Sequence, residues 1–206
     1  NRDTYLKMAV IRLADPKRDA RQVAAIYYPY VINTPITFET TPPDGTEMYR
    51  RMKKVSKTYT SLVCEHENEL MGYSYGSKFR DRSAYDWIVE TTVYVREAAH
   101  GLGIGKALYA SLLECLKLQG FTSAYGVIAL PNDPSVSLHE HFGFTEDYLM
   151  TNAGYKDGQW YDVGFWRLNL NNPTEIMAPI SLIDEVKGTS TFTKTVTYGE
   201  QFLKLS

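Results

Sequence analysis

The sequence has little that would commit it to a membrane, a metal or a polyanion. None of its apolar runs reaches the roughly 18 residues of a membrane-spanning helix, and no basic and apolar leader with a small-residue cleavage site is visible. Neither a transmembrane span nor a signal peptide is therefore expected, and the cytoplasm is the default compartment. Cysteine is scarce: Cys64 and Cys115 each sit in an apolar stretch, SLVCEH and LLECLKL, without metal-ligand spacing. That pattern excludes a disulfide framework and predicts two buried free thiols. Charge of one sign is also lacking, with 22 Lys and Arg against 24 Asp and Glu and a formal net charge of −2. Nothing draws the whole molecule to nucleic acid or an anionic membrane, so any basic site must be local. Internal repeats and low-complexity segments are absent too. What remains is 206 residues, 44% of them hydrophobic, enough for one domain or one domain with an appendage.

Along the chain, MAVIRLA reads as a strand. RDARQVAAIYYPYV reads as a helix, with Val23, Ile26, Tyr27 and Tyr30 at helical spacing. The loop NTPITFETTPPDG leads to TEMYRRMKKVSK, a helix with Met48, Met52 and Val55 set apart from Arg50, Arg51, Lys53, Lys54 and Lys57. Without interleaved aromatics these five cations are expected to form a solvated face rather than a nucleic-acid patch. A hairpin turns at EHENE, and the strand YDWIVETTVYVRE runs into a glycine-rich loop. KALYASLLECLKLQG is a helix with Leu108, Leu112, Cys115 and Leu116 on one face and Gly120 at its end. SAYGVIAL is a buried strand, and NDPSVSLHEHFGF a short helix with Asp133 at its N-cap and Pro134 in its first turn. WYDVGFWRLNL, apolar in both registers, is an interior strand.

The predicted fold class is α+β: a mixed, mostly antiparallel sheet flanked by helices. In it, strands 85–96 and 123–130 lie parallel and adjacent, with a ligand between their splayed ends. NNP at 171–173 marks a boundary between a domain at 1–170 and an extension at 171–206 of unknown role. Its Thr and Val alternation suggests an extra hairpin or a loose tail.

The stretch AAHGLGIGKAL, residues 98–108, could cradle a phosphate, since glycines allow close backbone approach and a following helix directs free N–H groups at an anion. A P-loop would need glycine at His100 and Ser or Thr at Ala107, and a dinucleotide fingerprint would need glycine at Lys106. ATP and NAD are therefore disfavoured. A plain turn before a glycine-softened helix start is the alternative.

HGLGIG after the strand VYV resembles the acetyl-CoA signature of the GNAT N-acetyltransferase superfamily. SAYDW, ETTVYV, GLGIGKALY, IALPNDPSVSLHEHFGF and YDVGFWRL fall in the order of its phosphinothricin N-acetyltransferase family, over roughly residues 8–170. The resemblance implies a GNAT fold and acetyl-CoA as cosubstrate, with no metal. The coenzyme A pyrophosphate would lie on His100, Gly101, Leu102, Gly103, Ile104, Gly105 and Lys106. The pantetheine arm would lie along Val93, Tyr94 and Val95 and within reach of Asn132. His100 stands where the superfamily usually has Gln or Arg, which removes a side-chain donor.

By the same resemblance Glu90 is the general base, an N–H near Val93 stabilises the oxyanion, and His139 is a candidate acid or base. His141 points elsewhere on its helix. Phe38, Arg82 and Tyr85 are the candidate acceptor contacts, Arg82 for a carboxylate or phosphinate. The expected reaction is N-acetylation of a small amino acid or analogue of the phosphinothricin or methionine sulfoximine type. No nucleic-acid or membrane partner is expected, and a homodimer is allowed for. The alternatives are a polyamine or protein N-terminal acetyltransferase and a non-catalytic acyl-CoA-binding module.

Overall fold

The computed structural model describes residues 9–204. The expected strand start at Met8, the first residues of the expected domain and the last two of the extension lie outside the described residues.

One seven-stranded sheet organises the chain, in the order β1-β2-β3-β4-β5-β7-β6. Its strands are β1 (Val10–Leu13), β2 (Ser61–His66), β3 (Glu69–Lys78), β4 (Ile88–Val95), β5 (Ser123–Leu130), β6 (Thr145–Lys156) and β7 (Gln159–Asn169). Every pairing is antiparallel except β4 with β5. That parallel pair holds only from Ile88 opposite Ser123 to Glu90 opposite Tyr125, after which the strands part.

Helices cover both faces, which explains why β2 reads as a continuous apolar run rather than an alternating one. Val63 faces a cluster formed with Val23, Ile26, Met48 and Met52 of α1 (Pro16–Asn33) and α2 (Gly45–Val55). Leu62 and Cys64 face the other way, onto Leu108, Leu112 and Leu116 of α3 (Ile104–Gln119). Local chemistry fixes the helix ends. Asp15 and Asp44 accept N–H bonds at the starts of α1 and α2, and Gly120 ends α3 in the left-handed region at φ +96°. Both thiols are buried and free, and burial pushes each up to about 12.

Three expectations need correction. The cap of α4 (Asp133–His141) is Asn132, whose side chain accepts the Ser135 N–H at 3.3 Å, not Asp133. The strand β6, along the free edge of β7, was not expected. Register shifts between Glu146 and Tyr148 and between Met150 and Gly154 interrupt its alternation, and Asn152 has φ +47°.

Finally, the extension is neither a hairpin nor a loose tail. It forms α5 (Ile183–Val186), α6 (Ser190–Thr197) and a single turn Tyr198–Phe202. Thr189 caps α6, and Phe192 and Val196, four apart, bury one face of it in the α3 core. Tertiary burial overrides the strand preference of its threonines.

Candidate active site

The parting of β4 from β5 leaves backbone groups without strand partners. Arg96 donates its N–H to Met71 O on β3, and in an antiparallel ladder alternate residues face the partner strand. Tyr94 and Thr92 therefore point their backbone groups at β3, and Val93 and Val95 point theirs into the gap. Val95 O is engaged there by the Tyr30 hydroxyl at 2.5 Å. The Val93 groups and the Val95 N–H offer a strand-like edge to an extended ligand.

This edge forms one wall of a cavity of about 520 Å³. Of the expected cofactor residues, Val93, Tyr94, Val95, His100, Gly101, Gly103, Ile104, Gly105, Lys106 and Asn132 line it. Leu102 does not; its carbonyl accepts the Lys204 N–H at 3.0 Å. Tyr30, Pro134 and Leu138 line it unforeseen. Tyr30 read as a core residue of α1, and nothing in the sequence signalled that its hydroxyl reaches β4. That hydroxyl also lies 2.9 Å from His100 Nε2, so the imidazole turns toward Tyr30.

The three glycines serve different ends. Gly101, at φ +80°, has open space where a Cβ would be. At Gly103, φ +79°, a Cβ would collide with the Phe202 carbonyl. Its glycine is thus required by the left-handed turn and by the C-terminal segment, not only by ligand approach. A Cβ on Gly105 would meet nothing closer than Val95 Cγ2 at 3.5 Å. The N–H groups of Ile104, Gly105 and Lys106 precede the first helical bond, Ala107 N–H to Gly103 O, and are free for an anion. Gly105→Leu should therefore fold normally yet lose acetyl-CoA binding about 100-fold, about 3 kcal/mol, by filling the space over these groups. Calorimetric titration checks this; an unchanged affinity would move the ligand off the α3 N-terminus.

Glu90 occupies the last paired register of β4 and β5, at the apex of the gap. Thr91, next along, bonds Tyr109 of α3, so the Glu90 side chain lies on the opposite face, under α1 and α2. Burial raises its pKa above the ordinary carboxylate value, with the Arg80 charge opposing part of the rise. Arg80 stands over the Phe79 ring at 5.1 Å, and Phe79 stacks on Tyr125, the register partner of Glu90, at 4.6 Å.

The expected acceptor residues lie further out. Arg82 and Tyr85 are in the exposed segment 80–86, and Phe38 packs over Gly154 with its ring 6.4 Å from Tyr161. The loop carrying Phe38 is held by the buried Lys156, whose Nζ donates to the carbonyls of Val31, Thr34 and Thr37. Arg50, Lys53 and Lys54 of α2 and Lys57 just after it are exposed, as expected of a solvated face. Arg50, Arg51, Lys54 and Lys57 border a groove that reaches Tyr75 and Ser77, the latter the β3 partner of Glu90; Arg50 and Arg51 are paired there with Glu47.

His139 is on the α3 face and buried, packed over Gly126. Its Nδ1–H donates to Ser135 O at 2.7 Å, so Nε2 accepts from the Tyr109 hydroxyl at 2.8 Å, which in turn lies 2.5 Å from Thr91 Oγ1. Burial lowers its pKa, favouring neutral imidazole. The structure therefore does not bring His139 and Glu90 together: they stand on opposite faces of the sheet, and both imidazole nitrogens are engaged. Among the described residues no cluster of three or more His, Cys, Asp or Glu could hold a metal ion.

Comparison with known proteins follows the same lines. The acetyltransferase (GNAT) domain family matches residues 11–164. The chain is 41% identical over 155 residues to the phosphinothricin N-acetyltransferase of Streptomyces viridochromogenes, covering 75% of this chain and 85% of that one. It is 31% identical to the L-methionine sulfoximine/L-methionine sulfone acetyltransferase of Pseudomonas aeruginosa, covering 74% and 90%. Among solved structures, a GNAT superfamily phosphinothricin acetyltransferase from Sinorhizobium meliloti in complex with AcCoA superposes with a TM-score of 0.78 at 35% identity, over 85% of this chain and 98% of that one.

Proposed function

The chain belongs to the GNAT acetyltransferases, and from that premise we propose that it acetylates the amino group of a small amino-acid analogue of the phosphinothricin or methionine sulfoximine type. Acetyl-CoA supplies an acyl group on a good leaving thiolate. The observation that carries the reading is the Glu90 carboxylate at the apex of a gap whose wall offers unpaired backbone groups. An extended amide chain ending in a pyrophosphate fits that gap: Val93 and Val95 meet the amides, and the N–H groups of Ile104 to Lys106 meet the phosphates.

An amine bound on the α1 and α2 face reaches the apex as an ammonium and must lose a proton before it can attack. Glu90, held in a low-dielectric setting with a raised pKa, accepts that proton directly or through one water. The Val93 N–H lies where the carbonyl oxygen gains negative charge. A thiolate leaves the tetrahedral intermediate as a stable anion, with little need of an acid, and takes up the proton that the new amide nitrogen sheds. His139 accordingly enters as the partner of Tyr109 that keeps Thr91, the neighbour of Glu90, in place.

For the acceptor's anionic group, Arg80 is the cation whose charge reaches Glu90, with Arg82 and Tyr85 further along the same exposed segment and Phe38 over β6 as outer contacts. Arg80→Ala should raise the acceptor KM about 10-fold, or 1.4 kcal/mol, and leave the acetyl-CoA KM unchanged; Arg82→Ala should do less. Steady-state kinetics on both variants decide, and the reverse order would return the anion contact to Arg82.

A cytoplasmic setting and a homodimer belong to the same proposal. No helix among the described residues is long and apolar enough to cross a membrane. Exposed Tyr148, Leu149 and Met150 on the edge strand β6 offer an apolar edge for a second copy. A monomeric mass by light scattering at micromolar concentration would remove the dimer.

A further inference from the structure

We propose that the C-terminal turn sets the geometry of the phosphate-binding loop, with Phe202 as a positioning residue for acetyl-CoA acting through Lys106. The inference rests on the assignment of that loop to the coenzyme. The turn lies beyond residue 164, where the match to the GNAT domain ends.

Two anchors fix the turn. Gly199 donates its N–H to Ser111 Oγ of α3 at 2.8 Å, so close to the helix that a Cβ there would strike the Ala107 carbonyl. Glu200 Oε1 accepts the Ile11 N–H of β1, also at 2.8 Å. From these anchors the chain runs against the loop. The Phe202 carbonyl fills the space beside Gly103, and the Lys204 N–H bonds Leu102 O at 3.0 Å. The loop's left-handed turn at Gly103 is thus fitted to the turn that follows α6.

The same residue presents its ring to the site. Lys106 Nζ lies 5.9 Å from the centre of the Phe202 ring, within cation–π range, and Phe142 packs edge-on to that ring at 6.5 Å. Lys106 is the only lysine or arginine among the described residues lining the cavity. A lysine side chain free to sample its rotamers loses entropy when it binds phosphate, and an aromatic platform that already holds the ammonium reduces that loss. Phe202 therefore acts on the coenzyme without touching it.

The test uses the full-length chain and acetyl-CoA itself. Calorimetric titration of Phe202→Leu and Phe202→Met, which keep apolar bulk but remove the ring, should show acetyl-CoA Kd raised about 3- to 10-fold, while Phe202→Tyr keeps the parent value. The acceptor KM should not change in any of them, which a general loss of structure would not permit. Lys106→Met should weaken binding by itself, and adding Phe202→Leu to it should change Kd by less than about twofold, since the two act as one unit. Parent affinity in Phe202→Leu or Phe202→Met, or fully additive effects in the double variant, would overturn the proposal. A parent chain that binds no acetyl-CoA would bring down the loop assignment, and this inference with it.

Discussion

Glu90→Gln should lose about 10²–10⁴-fold in kcat at neutral pH, bind acetyl-CoA as the parent does, and melt at a higher temperature. The three outcomes have one cause. Burial holds the Glu90 carboxyl above its ordinary pKa, so the folded state binds its proton more tightly than the unfolded state does. The stability this contributes is present below the ordinary carboxylate value and is lost as pH rises through the raised folded value. At neutral pH the parent therefore carries a desolvated charge, which glutamine removes while keeping size and hydrogen bonding. The same titration governs activity in the other direction: the ionised form is the base, so kcat/KM should fall as pH drops through the raised value. A thermal melt and a pH–rate profile check both signs. Part of the lost rate should return at high pH, where solvent supplies free amine. Parent turnover at neutral pH would remove Glu90 as the base. His139→Asn, by contrast, should cost mainly stability, because the imidazole is buried between Ser135 and Tyr109 on the other face of the sheet.

Phe192→Ala should destabilise the whole fold by about 3–5 kcal/mol, lowering Tm by roughly 10 °C. Phe192 is 1% exposed and lies in the core cluster with α3, Ile183, Val186 and Val196. Truncating it leaves a cavity against the helix that also supplies the phosphate-binding N–H groups. A loose tail would tolerate the change without effect. One cooperative transition at lower temperature is the expected record, and an unchanged Tm would detach residues 171–204 from the domain.

What was legible follows from how local each signal is. The glycine loop and the stop at Gly120 depend on neighbours in the chain, and the sequence carries them. The run IVETTVYV could be read as a strand leading to the loop, and its single carboxylate stood out among uncharged neighbours. Other features depend on contacts across long separations. The helix STFTKTVT is rich in β-branched residues, and only the burial of Phe192 and Val196 against α3 makes it helical. His139 could be placed on a short helix, yet its burial depends on Gly126 and Tyr109, elements away in the chain. The second demand on Gly103 comes from Phe202, nearly a hundred residues later. Arg80 and Arg82 differ by two positions in a loop, where no periodicity says which one turns toward β4.

Acetyl-CoA-dependent thiol release, measured across a panel of acceptors with the purified chain, tests the central claim most directly. Phosphinothricin and methionine sulfoximine should release thiol in proportion to N-acetylated product, with spermidine and an N-terminal peptide giving rates near background. Release with spermidine or the peptide but not with the small anionic amino acids, or binding of acetyl-CoA with no release at all, would contradict it.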